Sequence, residues 1–305
     1  MNIRDLEYLV AVHDVCNFSK AAEMCNVSQP TLSGQLKKLE KDLDASLIER
    51  STRRVLFTKV GESVVEHARN VLNTVEQIQE LTSASNDPMS GDVNIGLIPT
   101  VGPFLLPTLM PELSEQYPKL NLYLYELQAD TLLEKLHKGE LDAVVLTKQD
   151  WKQPVNETLL YTEKLMLAVS TNNELANEVN PVSCNALKGR PVIMLEDGHC
   201  LQKNMMEMCS GFGAKESLRY KATSMDTLLH MVMANKGITL VPGLACDKEL
   251  PGVKFLPLKN VKQQRKIVMV TRKGTPRQEV FQILAKTISN TAAVSYTHLT
   301  LPTKA

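Results

Sequence analysis

Asn26-Val-Ser-Gln-Pro-Thr-Leu-Ser-Gly-Gln-Leu-Lys-Lys-Leu-Glu-Lys-Asp-Leu43 is the stretch that decides how the chain begins to fold. Asn26-Val27-Ser28 reads as a tight turn. Ser28 is placed to cap a helix, and Pro30 falls in its first turn, where a missing N–H costs little. Leu32, Leu36, Leu39 and Leu43 recur at helical spacing and form one apolar stripe. The opposite face carries Pro30, Ser33, Gly34, Lys37, Lys38 and Lys41. Gln29, Thr31, Ser33 and Gln35 are small or amide side chains suited to base edges, and Gly34 permits close approach.

Working outward, residues 4–15 read as a helix with Leu6, Leu9, Val10 and Val12 on one side. Asn17-Phe18-Ser19 offers a cap for a short second helix over 20–24. Downstream, Thr52-Arg53-Arg54 followed by Val55-Leu-Phe-Thr58 reads as a short β-wing whose arginines meet phosphates. Over 29–59, seven basic residues stand against four acidic ones, although the whole chain has a formal net charge of zero. A solvated lysine face would account for the charge alone. Cap, turn, stripe and wing in that order point instead to a helix-turn-helix for double-stranded DNA. The candidate DNA contacts are Gln29, Pro30, Thr31, Ser33, Lys37, Arg50, Arg53 and Arg54.

Thr58-Lys-Val-Gly61 opens a longer helical pattern in which Val64, Ala68, Val71, Val75 and Ile78 recur through to Leu81. An exposed helix with such a stripe needs a partner, so it reads as a linker and dimerisation helix. Ser83-Ala-Ser-Asn-Asp-Pro-Met-Ser-Gly91 is a polar Pro/Gly boundary. Beyond it, strands at 93–97, 120–125, 141–146, 165–169, 192–195, 237–241 and 267–271 alternate with helical stretches, among them 104–113 and 130–138. That alternation predicts parallel α/β layers. With 305 residues and so late a final strand, two subdomains crossed more than once by the chain are expected, with a cleft between them.

Several classes are excluded. The six cysteines show no Cys-x-x-Cys metal spacing and are too sparse for a secreted disulfide scaffold. The acidic N-terminus is no signal peptide, and no stretch reaches the roughly 18 apolar residues of a membrane helix. No Walker, Gly-x-Gly-x-x-Gly or Gly-x-Ser-x-Gly motif appears, so neither a nucleotide cofactor nor a serine hydrolase is expected. A reducing cytoplasm fits.

Met194-Leu-Glu-Asp-Gly-His-Cys200 leads to a second cysteine, Cys209. On one helix the two would lie about 13.5 Å apart and on opposite faces. A disulfide needs Cα atoms within roughly 7 Å, so this pair could bond only if the segment refolds. It is therefore a candidate redox switch. The same residues would also serve as two buried apolar fillers. His199 beside Cys200 favours the reactive thiolate.

The segments Asp5-Leu-Glu-Tyr-Leu9, Phe18-Ser-Lys-Ala-Ala22, Val27-Ser-Gln-Pro-Thr-Leu-Ser33, Leu47-Ile-Glu-Arg50 and Thr58-Lys-Val-Gly61 resemble the winged-helix domain of LysR-type transcriptional regulators. Gly96-Leu-Ile-Pro-Thr-Val-Gly-Pro103, the Asp197-Gly-His-Cys200 segment, Ala222-Thr-Ser224 and Gly237-Ile-Thr-Leu240 resemble the peroxide-sensing branch of that family. The likeness runs to about residue 290. It implies a winged helix-turn-helix over 1–58 and a linker and dimerisation helix over 59–90. It also implies a regulatory domain over 91–292 made of two Rossmann-like α/β subdomains, similar to periplasmic binding proteins. Subdomain I would span about 91–163 plus 268–292, and subdomain II about 164–267.

By the same resemblance Cys200 would be the peroxidatic cysteine and Cys209 the resolving one, with Thr100, His199 and Arg265 lining the peroxide pocket. A helix cap would also explain Thr100, and a surface charge would explain Arg265. The implied partners are DNA, hydrogen peroxide, RNA polymerase, thiol reductants of the glutaredoxin or thioredoxin type, and further copies of the chain as a dimer of dimers. No cofactor, metal or enzymatic turnover is implied. The rival reading keeps the fold and gives the cleft to a small metabolite. The chain departs from the pattern at Glu126-Leu-Gln-Ala129, where a threonine hydroxyl is expected and alanine stands. The tail 293–305 matches nothing expected, does not read as an extension of the preceding helix, and looks like a non-native scar.

Overall fold

The structure is a computed structural model that describes residues 1–50, 55–83, 87–178, 181–196, 201–202, 205–206, 213, 215–246, 250–259, 264–275 and 277–300. It forms two compact units, Met1–Asp87 and Pro88–Ala305.

The first unit begins with α1 (Ile3–Val15), closed by a reciprocal cap: the Asn2 side chain accepts from the Asp5 N–H, and the Asp5 carboxylate accepts from the Asn2 N–H. Cys16, with φ 47°, ends it in the left-handed region. Asn17 accepts from the Ser19 and Lys20 N–H groups and starts α2 (Phe18–Met24). Ser28 accepts from the Thr31 N–H and starts α3 (Gln29–Asp42). Leu9, Val12, Ala21, Leu32, Leu36 and Leu39 bury where the three helices meet. Leu43 does not join them. It is the residue after the last helical one and lies exposed, so the expected stripe ends a turn early.

Strands β1 (Ile48–Arg50) and β2 (Val55–Phe57) pair antiparallel as the wing. Glu40 ties the wing to α3: its carboxylate accepts from the Leu47 and Ile48 N–H groups. Helix α4 (Lys59–Ser83) follows, its start capped by Thr58, whose hydroxyl accepts from the Gly61 N–H and donates to the Ser46 carbonyl. Val65 and Ala68 are buried, while Val71 and Ile78 are exposed on the same helix.

In the second unit β3 (Gly91–Leu97), α5 (Gly102–Gln116), β4 (Leu120–Glu126), α6 (Ala129–His137) and β5 (Ala143–Thr147) alternate along the chain. Strand β3 lies between β4 and β5, parallel to both. A long strand β6 (Val155–Ser170) then carries the chain away. The far region holds β7 (Val182–Ser183), β8 (Pro191–Leu195), β9 (Lys215–Ala222), α7 (Met225–Met233), β10 (Thr239–Pro242), β11 (Val253–Leu256) and β12 (Leu258–Lys259). Strand β13 (Gln264–Arg272) returns, and α8 (Gln278–Thr300) closes the unit.

Two apolar cores result. One gathers Val93, Ile95, Leu132, Val144, Leu160, Ile267 and Val270; the other Leu165, Leu167, Ile193, Leu195, Leu228, Leu240 and Leu256. The change of core falls between Leu160 and Leu165 on β6, and before Ile267 on β13. Two subdomains joined by two long strands are therefore present. The parallel layering expected from the sequence holds for β3–β5 and for β8 with β9. Strand β13 runs antiparallel to β5 and β6, and β6 antiparallel to β10 and β11. A parallel neighbour needs a crossover connection, whereas a strand passing directly between subdomains need not supply one.

The tail also corrects the sequence reading. Helix α8 continues through to Thr300. Nothing in 294–300 breaks a helix, and Pro302 restricts the residue before it, so a boundary is expected only there. Residues 301–305 lie outside the described residues.

Gly61 packs where a Cβ would meet the Leu47 carbonyl oxygen at 2.1 Å, a rigid backbone atom. Gly61→Ala must push α4 away from the wing strand. We expect a loss of about 1–3 kcal/mol, read from the first transition in urea unfolding of the full chain by far-ultraviolet circular dichroism. An unchanged midpoint would contradict this packing.

Candidate functional site

Strands β3, β4 and β5 end at one edge of the first subdomain, and in open α/β sheets the carboxyl edge is where ligands bind. Thr100 lies in the turn after β3, Ala129 is the first residue of α6 after β4, and Thr147 is the last residue of β5. Arg265 comes to this edge from β13. Thr147 is paired with Ile267, two residues along the same strand face from Arg265.

Arg265 is 1% exposed and so is no surface charge. Its Nη2 donates to the Thr100 hydroxyl at 2.9 Å and to the Thr147 hydroxyl at 3.2 Å. Its Nη1 lies 3.0 Å from a Glu163 carboxylate oxygen, and that carboxylate is 1% exposed as well. Glu163 sits directly opposite Arg265 in the β6–β13 pairing. The approach is a charge contact, since among the described residues neither Nη1 nor Nε and neither Glu163 oxygen has an aligned hydrogen-bond partner. Burial pushes the Glu163 carboxyl above its usual range, while the Arg265 charge and the Leu244 backbone N–H pull it part of the way back.

Thr100 is not a helix cap. Helix α5 begins after Val101 with no side-chain cap, and the Thr100 hydroxyl is turned to Arg265 instead. The structure thus brings Thr100 and Arg265 together. Glu163 and Thr147 were missed. Their signal was the strand register that sets them beside Arg265, and no local motif carries it. Ala129 is buried and offers no hydroxyl.

His199, Cys200 and Cys209 lie outside the described residues. Strand β8 ends at Leu195, and Leu201 and Met205 are fully buried in the second core. Of the other cysteines, burial raises the Cys25 and Cys184 thiols, which disfavours the thiolate; Cys16 is exposed and donates to the His13 carbonyl.

At the DNA-reading candidate, Gln29, Pro30, Thr31 and Lys37 are exposed and Ser33 is half-buried, all on α3. Nothing lies within 4 Å of a Cβ built on Gly34, so that face is open. Arg50 ends β1, while Arg53 and Arg54 lie outside the described residues. Among the described residues no group of His, Cys, Asp and Glu could hold a metal ion, and no helix is long and apolar enough to cross a membrane.

Residues 3–62 match the bacterial regulatory helix-turn-helix protein family of lysR type, and residues 86–293 match the LysR substrate binding domain. The hydrogen peroxide-inducible genes activator of Haemophilus influenzae is 44% identical, with 95% of this chain and 97% of that protein covered. A variant of full-length OxyR from Pseudomonas aeruginosa superposes with a TM-score of 0.79 at 30% identity, covering 94% of each chain. The oxidized form of OxyR, 40% identical, covers 68% of this chain and 98% of its own, with a TM-score of 0.61.

Removing one member of a buried ion pair strands the other charge. Glu163→Gln keeps the shape and leaves Arg265 unbalanced. We expect a loss of about 3–5 kcal/mol in chemical unfolding of the full chain, measured by the urea midpoint of the second unit. A midpoint within experimental error of the original would mean that the pair is not held as described.

Proposed function

The chain belongs to the LysR family of bacterial helix-turn-helix transcriptional regulators, and from that premise we propose that it senses hydrogen peroxide through Cys200 and passes the signal to DNA. The observation that carries this reading is the buried Arg265, which presents two hydroxyls at the carboxyl edge of the first subdomain. The Asp197-Gly-His-Cys200 segment and the near full-length likeness to a peroxide-inducible genes activator support it.

In the proposed chemistry the Cys200 thiolate attacks one oxygen of peroxide. A sulfur–oxygen bond forms and the oxygen–oxygen bond breaks. Sulfur gives up two electrons, and the departing hydroxide takes a proton and leaves as water. The product is a sulfenic acid, the first and reversible rung of oxidation. The Cys209 thiol then displaces the sulfenic hydroxyl as a second water, giving the Cys200–Cys209 disulfide. Thr100, His199 and Arg265 supply hydrogen bonds and positive charge around the reacting oxygens.

A ring closed through so few residues is incompatible with a helix running from Cys200 to Cys209. Oxidation therefore selects a second packing of this segment, which is the bistable element of the switch. Two copies joined through the exposed Val71 and Ile78 stripe of α4 set the spacing of the α3 helices on DNA. Gln29, Pro30, Thr31 and Ser33 read base edges, while Lys37, Arg50, Arg53 and Arg54 meet phosphates. The regulator acts in the cytoplasm as a dimer of dimers, engages RNA polymerase as an activator, and is reset by thiol reductants of the glutaredoxin or thioredoxin type. It turns over no substrate.

The test is a DNA footprint with and without a few equivalents of peroxide. The original protein should change its footprint, and Cys200→Ser should keep the reduced one. A Cys200→Ser protein that still responds would sink the mechanism. Mass measurement after mild oxidation should find the Cys200–Cys209 crosslink; without it the switch stops at the sulfenic acid. A footprint indifferent to peroxide would move the reading to a small metabolite in the cleft, detectable as ligand-dependent thermal stabilisation.

A further inference from the structure

Arg265 holds two threonines, Thr100 and Thr147, in the same way. Both hydroxyls accept from one nitrogen, Nη2, at 2.9 and 3.2 Å. A hydroxyl has one proton to donate as well as lone pairs to accept with. Neither Thr100 nor Thr147 donates to any other group among the described residues. Both side chains are buried, at 3% and 9% exposure, so water does not freely satisfy those protons. Among the described residues, two buried O–H donors, each polarised by the same cation, are therefore left uncommitted at one edge of the sheet. A buried donor without an acceptor is a standing cost that a ligand oxygen relieves.

Arg265 itself is poorly placed to do that work alone. Its Nη2 is engaged by the two hydroxyls and its Nη1 faces Glu163, which balances its charge. What it projects beyond itself is carried by the hydroxyls. Peroxide has two oxygens and, in the reaction above, builds negative charge on the one that leaves. Two adjacent O–H donors match that need. Ala129, the position where the resemblance called for a hydroxyl, is buried and has none.

We propose that Thr147 is the second hydroxyl of the peroxide pocket: it is fixed by Arg265 as Thr100 is, supplies the donor that Ala129 lacks, and hydrogen-bonds the peroxide oxygen that departs. This rests on the reading of Cys200 as the peroxide-reactive thiol. Thr147 does not change the balance of the reaction. The proton on the departing water comes from solution, and the threonine hydroxyl keeps its own.

The test uses the full-length reduced protein and hydrogen peroxide. The rate of Cys200 oxidation is followed by quenching and mass measurement, and the rate of Cys200 alkylation by iodoacetamide at the same pH reports thiolate reactivity separately. Thr147→Val keeps the shape and removes the hydroxyl, while Thr147→Ser keeps the hydroxyl. Thr147→Val should slow oxidation on the order of tenfold with alkylation little changed, and Thr147→Ser should retain most of the original rate. Oxidation of Thr147→Val at the original rate would overturn the proposal. So would an equal loss of oxidation and alkylation, which marks a structural role only. If Cys200 of the original protein does not react with peroxide at all, the functional reading falls and this inference with it; a reactive original protein with an indifferent Thr147→Val brings down the inference alone.

Discussion

A guanidinium that stays charged at any ordinary pH cannot be buried unless something neutralises it where it sits, and Arg265 is buried. The second unit is organised around meeting that demand. The two strands that pass between the cores, β6 and β13, are paired so that Glu163 falls opposite Arg265. A slip of one residue would turn Glu163 to the other face and leave the cation alone. The pair thus ties the register of the connecting strands to the geometry of the pocket edge. Breaking one disturbs the other, because the same arginine reaches Thr100 at the end of one subdomain strand and Thr147 at the end of another.

That arrangement explains what could be read from the sequence. The helical head was legible because its instructions are local: Asn2, Asn17 and Ser28 each cap within three residues, and the leucine stripe of α3 needs only its own period. The stripe failed at Leu43 for an equally local reason, since the helix ends before it. Strands β3, β4 and β5 could be located because β5 is a short apolar run and β3 and β4 repeat an aliphatic residue at every second position. The connecting strands β6 and β13 were seen only in part. A strand shared by two cores changes its pattern midway, so Leu165–Val169 stood out and the preceding half of β6, partly exposed, did not.

The site divides along the same line. Thr100 and Arg265 were reached through resemblance to known segments. Glu163 and Thr147 could not be, because their significance lies in a partner far along the chain, with 118 residues separating Thr147 from Arg265. Nothing near Thr147 distinguishes it from any other β-branched residue at a strand end. The absence of a hydroxyl at Ala129 was visible, but its consequence could be judged only once the neighbours of Arg265 were known.

On the proposed reading, the placement of these groups also bears on how a chemical event at one cysteine becomes mechanical. Thr147 ends one strand of the first core and Thr100 lies in the turn after another, whereas the segment carrying Cys200 leaves β8, whose Met194 and Leu195 are packed in the second. Leu201 and Met205, immediately beyond Cys200, are fully buried there too. A disulfide from Cys200 to Cys209 would have to rearrange the chain between those two anchors, and close-packed cores do not yield gradually. On that reading the apolar grip on Leu201 and Met205 opposes the switch, and the bond must supply the free energy to release it. Such opposition raises the reduction potential of the disulfide and lets ordinary cellular thiols reverse it.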